Sequence, residues 1–187
     1  MRVVDTALPG VVIIEPAVAR DDRGLFLETW RADVFAAAGV ADVFVQDNYS
    51  RSTRGTLRGL HWQWRKPQAK LVRVVAGSIF DVVVDVRRGS PTFGRWVGLE
   101  LSAETFRQVY VPIGFAHGFC VTSEVADVEY KCSDVYDPGG EAGLIWNDPG
   151  LGIDWPIKEP LLSPKDSRNP VLEPSRVDLP AFQGPTR

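Results

Sequence analysis

Apolar residues along this chain recur chiefly at every second position or in short unbroken runs, which is the signature of strands rather than helices. Val11-Val12-Ile13-Ile14 reads as a short buried strand, followed by Pro16 and the turn-forming Asp21-Asp22-Arg23-Gly24. Residues 25–30 alternate, placing Phe26 and Glu28 on one face. Residues 32–38 are alanine-rich and stopped by Gly39, which predicts the best helix of the chain. Residues 43–48 return to strand, with Gln46 and Asn48 on the same face. From residue 57 to about 136 the pattern is strand after strand. Residues 71–75 and 79–86 are separated by the short turn Ala76-Gly77-Ser78, and Phe80, Val82, Val84 and Val86 share a face opposite Asp81 and Asp85. Residues 96–101, 108–111, 117–121 and 126–130 complete the series. Many short strands punctuated by Gly and Pro predict an all-β antiparallel barrel or sandwich rather than a βαβ fold.

A chain of 187 residues with this patterning predicts one domain, with its core over about residues 10–168 and a proline-rich tail over 169–187. Leu161, Leu162, Val171 and Leu172 give that tail enough apolar character to wrap the body before it frays near Arg187. The net charge of −3 carries no basic excess, which argues against nucleic acid as a partner. Apolar runs such as Val82-Val83-Val84 are too short to span a bilayer, and Asp5 and Pro9 interrupt the N-terminus before any signal-like run. Cys120 and Cys132 without a secretory signal predict reduced thiols and a cytoplasmic setting. Two histidines 56 positions apart and two cysteines without close spacing match none of the usual ligand patterns, so no metal is assigned.

His61 and His117 are the two imidazoles of the chain, and His61 sits in the polar-aromatic run Gly59-Leu60-His61-Trp62-Gln63. Arg58 and Lys70 flank it in sequence, and cations on both sides would favour the neutral ring, a competent proton acceptor. On that stretch alone, a histidine that merely hydrogen-bonds within a sheet is the commoner reading. Three polar groups weigh against it. Arg23, Glu28, Gln46, Asn48 and Arg58, on otherwise apolar strands, suggest a hydrated cavity. Lys70 beside a substrate carbonyl would stabilise an enolate. Tyr130 and Tyr136 offer phenols, as donor or as stacking surface. Asp166, in Ser163-Pro164-Lys165-Asp166, could orient His61 through its second ring nitrogen or simply belong to a turn. Arg58 and His61 are three apart, so a regular strand would point them to opposite faces. If both line one cavity, Gly59 must mark a bulge or bend.

Arg58-Gly59-Leu60-His61, the run 70–75, residues 81–87 and Ser90-Pro91-Thr92-Phe93-Gly94 together resemble the dTDP-4-dehydrorhamnose 3,5-epimerase family. So do residues 112–119, Tyr130-Lys131, Trp146-Asn147-Asp148-Pro149 and Ser163-Pro164-Lys165-Asp166, and the resemblance spans roughly residues 10–168. It implies a cupin-type double-stranded β-helix, or jelly roll, with a few short helices, usually a homodimer, without metal or redox cofactor. The implied substrate is dTDP-4-dehydro-6-deoxy-D-glucose, inverted at carbons 3 and 5 on the way to dTDP-L-rhamnose. By motif, His61 resembles the base, Asp166 its dyad partner, Tyr130 the acid on the opposite ring face, and Lys70 the cation at the 4-keto oxygen. Tyr136 resembles the residue that stacks on thymine. Arg23, Glu28, Gln46, Asn48, Arg58, His117, Glu141 and Lys165 resemble substrate contacts, with the arginines as partners of pyrophosphate. His61-Trp62-Gln63 replaces the His-Tyr-Gln of many members, with Trp62 expected to face away from the base. The loop over residues 64–69 is one residue shorter than common, which bears on where Lys70 sits.

The chemistry fits these residue types. Protons beside a ketone are acidified by enolate formation, so a base and an oxyanion stabiliser suffice. Inversion also needs a proton donor across the ring. A mono-epimerase of a deoxysugar or antibiotic pathway would keep the same base and acid. A non-catalytic cupin that only binds a nucleotide sugar would need neither.

Overall fold

Alternating apolar positions recur in strand after strand, and the computed structural model, which describes residues 1–184, pairs them into two facing antiparallel sheets. In chain order the strands are β1 (Arg2–Asp5), β2 (Val12–Glu15), β3 (Val18–Asp21), β4 (Gly24–Leu27), β5 (Gln46–Thr53) and β6 (Leu57–Gln63). They continue as β7 (Lys70–Ala76), β8 (Ser78–Asp85), β9 (Trp96–Ser102), β10 (Gln108–Val111), β11 (Phe115–Val121), β12 (Val125–Cys132) and β13 (Glu141–Gly143). One sheet has the order β1-β2-β10-β7-β12-β5 and the other β13-β6-β11-β8-β9, while β3 and β4 form a separate hairpin. This is the jelly-roll arrangement of a cupin, nearly all β, with one short helix α1 (Ala32–Ala37).

Between the sheets, Val72, Val74, Val109 and Val128 of one meet Ile79, Val83, Phe115 and Phe119 of the other. The outer face of the five-stranded sheet does not meet water. Val82, Val84, Leu57 and Trp62 are covered there by Leu144, Leu151, Trp155 and Leu179, so the chain beyond residue 143 supplies a second apolar layer. Both faces of β8 are therefore buried. Asp81 and Asp85, on the face opposite Val82 and Val84, are fully buried rather than solvated. Asp81 meets His117 Nε2 at 2.8 Å. Asp85 accepts from Arg87, Ser90 and Thr92, and its partner Arg87 lies over the Phe115 ring. Both carboxylates in this run of valines thus find internal partners, although the second oxygen of Asp81 has none.

Several boundaries differ from the sequence pattern for identifiable reasons. The turn at Gly77 is not a hairpin, because β7 and β8 belong to different sheets and the chain passes between them there. Gly77 has φ +76, and a Cβ on it would stand 2.1 Å from the Val125 carbonyl, so the corner closes only around glycine. Residues 43–45 are not strand, and Val43 and Val45 are exposed. β1 and the three-residue β13 carry too little alternation to announce themselves. The tail wraps the body as its apolar residues suggest: Trp62 Nε1 donates to the Asp178 carbonyl, and the Arg176 guanidinium lies 4.9 Å from the centre of the Trp62 ring. The fraying expected near Arg187 lies outside the described residues. Among the described residues no helix is long and apolar enough to cross a membrane.

Candidate active site

Strand β6 brings Arg58 and His61 to the same cavity by breaking its own period. Its partners on β11 run Cys120 to Leu57, Phe119 to Arg58, then His117 to His61, so three steps on β6 face two on β11. That is the bulge the parity of Arg58 and His61 demands. Gly59 sits within it at φ +123, and a Cβ there would come within 2.6 Å of Gly118 Cα. A Cβ on Gly118 would in turn stand 2.7 Å from the Arg58 carbonyl, so the two backbones touch through paired glycines.

The cavity, about 570 Å³, is lined by Asn48, Arg58, His61, Lys70, His117, Tyr130, Lys165 and Asp166. A second lobe of about 300 Å³ shares Asn48, His61, Lys70 and Tyr130 and adds Gln46, Cys132, Tyr136 and Glu141. His61 projects from the five-stranded sheet, whereas Lys70 and Tyr130 project from β7 and β12 of the other. An imidazole and a phenol thus stand on opposing walls of one space.

The His61 ring is held by carboxylates. Its Nε2 lies 2.5 Å from Asp166 Oδ1, and Nδ1 lies 3.9 Å from Glu141 Oε1. Arg58 and Lys70 line the same cavity as expected, and to them the fold adds two carboxylates from 105 and 80 positions away. An ionised carboxylate only accepts, so Nε2 carries the proton toward Asp166 and Nδ1 keeps its lone pair. Asp166 is 3 % exposed and lies in a short 3-10 turn (Asp166–Arg168), where Ser163 Oγ accepts from its backbone N–H. Burial pushes the Asp166 carboxyl up, but hydrogen bonds from His61 and from the Gly59 N–H outweigh it and hold the group below the usual carboxylate range.

On the opposite wall, burial raises the Tyr130 phenol, with Arg58 opposing, so it stays protonated and able to donate. Burial lowers the Lys70 ammonium, while Cys132, Glu141 and Asp81 nearby work to keep it charged. The shortened loop therefore still delivers Lys70 to the cavity. Arg58 Nε donates to Ser52 Oγ rather than to a carboxylate. Gln46 Nε2 donates to Asn48 Oδ1, Gln46 Oε1 accepts from the Tyr136 N–H, and Asn48 Nδ2 reaches Cys132 Sγ at 3.5 Å. His117 lines the floor, half of a second buried histidine–carboxylate pair with Asp81. At the mouth, Glu141 Oε2 accepts from the Tyr136 hydroxyl at 2.6 Å and pairs with the Lys165 ammonium. Burial raises the Glu141 carboxyl, and Lys165, Tyr136 and His61 together bring it below its ordinary value. Trp62 faces the outer apolar layer, away from the base.

Arg23 and Glu28 do not join this cavity within the chain. Arg23 pairs with Asp21 and Glu28 with Arg31, all at least half-exposed or nearly so, on and beside the projecting β3–β4 hairpin. The strand expected over residues 25–30 ends at Leu27, leaving Glu28 outside it and Arg23 in the turn, and that hairpin pairs with neither main sheet. Ser52, Asp81 and Cys132 are contacts of the site residues that sequence alone missed; the one signal for Asp81 was an acidic residue inside an apolar strand. Among the described residues no group of three or more His, Cys, Asp or Glu is close enough to hold a metal ion.

Comparison with known proteins matches residues 5–174 to the family described as dTDP-4-dehydrorhamnose 3,5-epimerase. A dTDP-4-dehydrorhamnose 3,5-epimerase of Pseudomonas aeruginosa is 55 % identical over 168 residues, covering 89 % of this chain and 93 % of that protein. One of the same name from Neisseria gonorrhoeae is also 55 % identical over 168 residues, and there this chain, 89 % covered, spans about half (51 %) of the relative's length. A crystal structure of dTDP-6-deoxy-D-glucose-3,5-epimerase from Legionella pneumophila, in complex with dTDP-4-keto-L-rhamnose, superposes with a TM-score of 0.95 at 48 % identity, covering 98 % of this chain and 99 % of that one.

Proposed function

Because the chain belongs to the dTDP-4-dehydrorhamnose 3,5-epimerase family, we propose that it inverts carbons 3 and 5 of dTDP-4-dehydro-6-deoxy-D-glucose, in the route to dTDP-L-rhamnose. The observation that carries this reading is the placement of His61 and Tyr130 on opposing walls of one sugar-sized cavity. His61 Nδ1 takes the proton from a carbon beside the 4-keto group, and the negative charge that Asp166 holds on Nε2 stabilises the imidazolium. The enolate oxygen is met by the Lys70 ammonium, and Tyr130 returns a proton to the other face. Arg58 and Lys165 take the pyrophosphate, Tyr136 the thymine ring, and Gln46, Asn48, His117 and Glu141 the rest of the substrate.

Arg23 and Glu28 serve this reading in a homodimer. Strand β4 of the β3–β4 hairpin carries Phe26, 76 % exposed, next to the exposed Leu25, an apolar surface that a second copy would cover. Such a contact would carry Arg23, at the hairpin turn, and Glu28, just past β4, toward the partner's cavity. The enzyme acts in the cytoplasm as a single domain and uses no cofactor.

An NMR time course with the purified sugar nucleotide in heavy water tests the reading. Deuterium should enter at both carbons, and His61→Asn should abolish both exchanges. Label at one carbon alone would make the protein a mono-epimerase. No label at either would make it a binding protein, and full exchange in the His61 variant would remove the imidazole as base.

A further inference from the structure

Two inversions at one bound sugar pose a problem that the dyad does not solve. After the first abstraction His61 is an imidazolium, and it must lose that proton before it can attack the second carbon. Asp166 is a poor outlet, since it is almost fully buried and its carboxylate is tied to the Gly59 N–H as well as to the ring. Bound substrate fills the cavity side. Glu141 connects the ring to the mouth: Oε1 stands 3.9 Å from Nδ1, and Oε2 is held by the Tyr136 hydroxyl and the Lys165 ammonium, two side chains about half-exposed there. Pairing of β13 with β6, Gly143 opposite His61 and Glu141 opposite Gln63, fixes the carboxylate beside the ring.

We propose that Glu141 is the proton outlet of His61, resetting the base between the two inversions while the sugar stays bound. The inference rests on the reading of His61 as the base. Proton balance is simple. The carbon-bound proton moves to Nδ1 and leaves an enolate; the Nδ1–H bond then breaks as an O–H forms on Glu141 Oε1, and that proton passes to water at the mouth. Lys165 and Tyr136 hold the other oxygen, keep the group anionic at rest and make it release the proton quickly. The small gap of 3.9 Å is closed by a modest side-chain swing or by one water. The other charged and titratable groups lining the cavity are Asp166, Lys70, His117, Arg58, Tyr130 and Lys165; an ammonium or guanidinium accepts no proton, and Asp166, His117 and Tyr130 are buried or half-buried.

The experiment compares parent and Glu141→Gln in heavy water with unlabelled substrate, stopping at partial conversion. The parent should return unreacted sugar already carrying deuterium, because the imidazolium exchanges before it gives its proton back. In Glu141→Gln the proton stays on His61, so recovered substrate should carry roughly 100-fold less deuterium per product formed, at the low end of a proton-transfer effect. Singly inverted sugar should also be released. Formate added to Glu141→Ala should restore the wash-out. Wash-out in Glu141→Gln equal to the parent, or loss of enolisation itself with the ratio unchanged, overturns the inference. Failure of the base reading looks different, since exchange would then persist in His61→Asn.

Discussion

Replacing Asp166 by asparagine should damage the enzyme more than removing the side chain altogether. Two donors converge on this carboxylate, His61 Nε2–H at 2.5 Å and the Gly59 N–H at 3.4 Å, and the carboxylate satisfies both. An amide has one acceptor oxygen. The Gly59 N–H cannot change its proton, whereas an imidazole can, so the amide oxygen should turn to Gly59 and its NH₂ to Nε2. That arrangement moves the ring proton to Nδ1, the nitrogen needed as base. The alternative leaves a buried donor facing a donor, which costs about 1–3 kcal/mol. The competent tautomer should therefore fall by roughly 5- to 150-fold, at about 1.4 kcal/mol per tenfold. Loss of the charge opposite the imidazolium removes about 1–1.5 kcal/mol more, the difference between charged and neutral hydrogen bonds, or roughly another 5- to 10-fold. Together the Asp166→Asn variant should lose between about 25- and 1500-fold in kcat/KM. Asp166→Ala forgoes the charge and some orientation but traps no tautomer. Initial rates of deuterium entry, read by NMR for both variants at one pH, decide the matter. An Asn variant within about fivefold of the parent, or one faster than the Ala variant, would refute the argument.

Other consequences can be checked independently. In its proposed role Lys70 acts only while charged, and its pKa is lowered, so activity should fall as pH rises through a value below that of an ordinary lysine; Lys70→Met should lack that limb and lose about 10²-fold or more in kcat at every pH. Gly59→Ala should lower stability by about 2–3 kcal/mol, seen as a drop of several degrees in Tm, because φ +123 and the 2.6 Å approach to Gly118 leave no room for a methyl group. Asp85 is buried yet held below its ordinary pKa by Arg87, Ser90 and Thr92 despite the opposing cost of burial. Its stabilisation is present above the unfolded aspartate pKa of about 4 and is lost as pH falls through the lower folded value. Asp85→Ala should cost about 3–5 kcal/mol at neutral pH, since it strands buried Arg87, and denaturant melts should show a flatter acid dependence.

The strands were legible because burial on one face writes itself into every second residue. What was not legible follows from long-range geometry. Periodicity placed Asp81 and Asp85 on the face away from Val82 and Val84 but could not say that this face is also closed, because the closing residues lie on β7, β10 and β12 of the other sheet. Gly77 carried a hairpin signal, yet local turn chemistry does not reveal which sheet receives the next strand. His61 and Asp166 are 105 positions apart, so the residues alone left Asp166 either to orient His61 or to belong to a turn, and it is the fold that brings the two together. The bulge at Gly59 was inferable from parity alone, given the premise that Arg58 and His61 share a cavity. Phe26 and Glu28 were expected on one face of a strand over 25–30, but β4 ends at Leu27, and a hairpin apart from the body gives Arg23 and Glu28 no cavity of their own.

Asp166 arrives at His61 from a segment that has first run across the back of β6, where Leu144, Leu151 and Trp155 cover Leu57 and Trp62. The barrel of strands β1 to β12 is closed by residues that precede all of this. A chain interrupted before position 166 could therefore still stack its two sheets and yet possess an imidazole with nothing behind it. On the proposed mechanism, turnover in this molecule is a proofreading signal for its own assembly, since the base is complete only when residue 166 has seated.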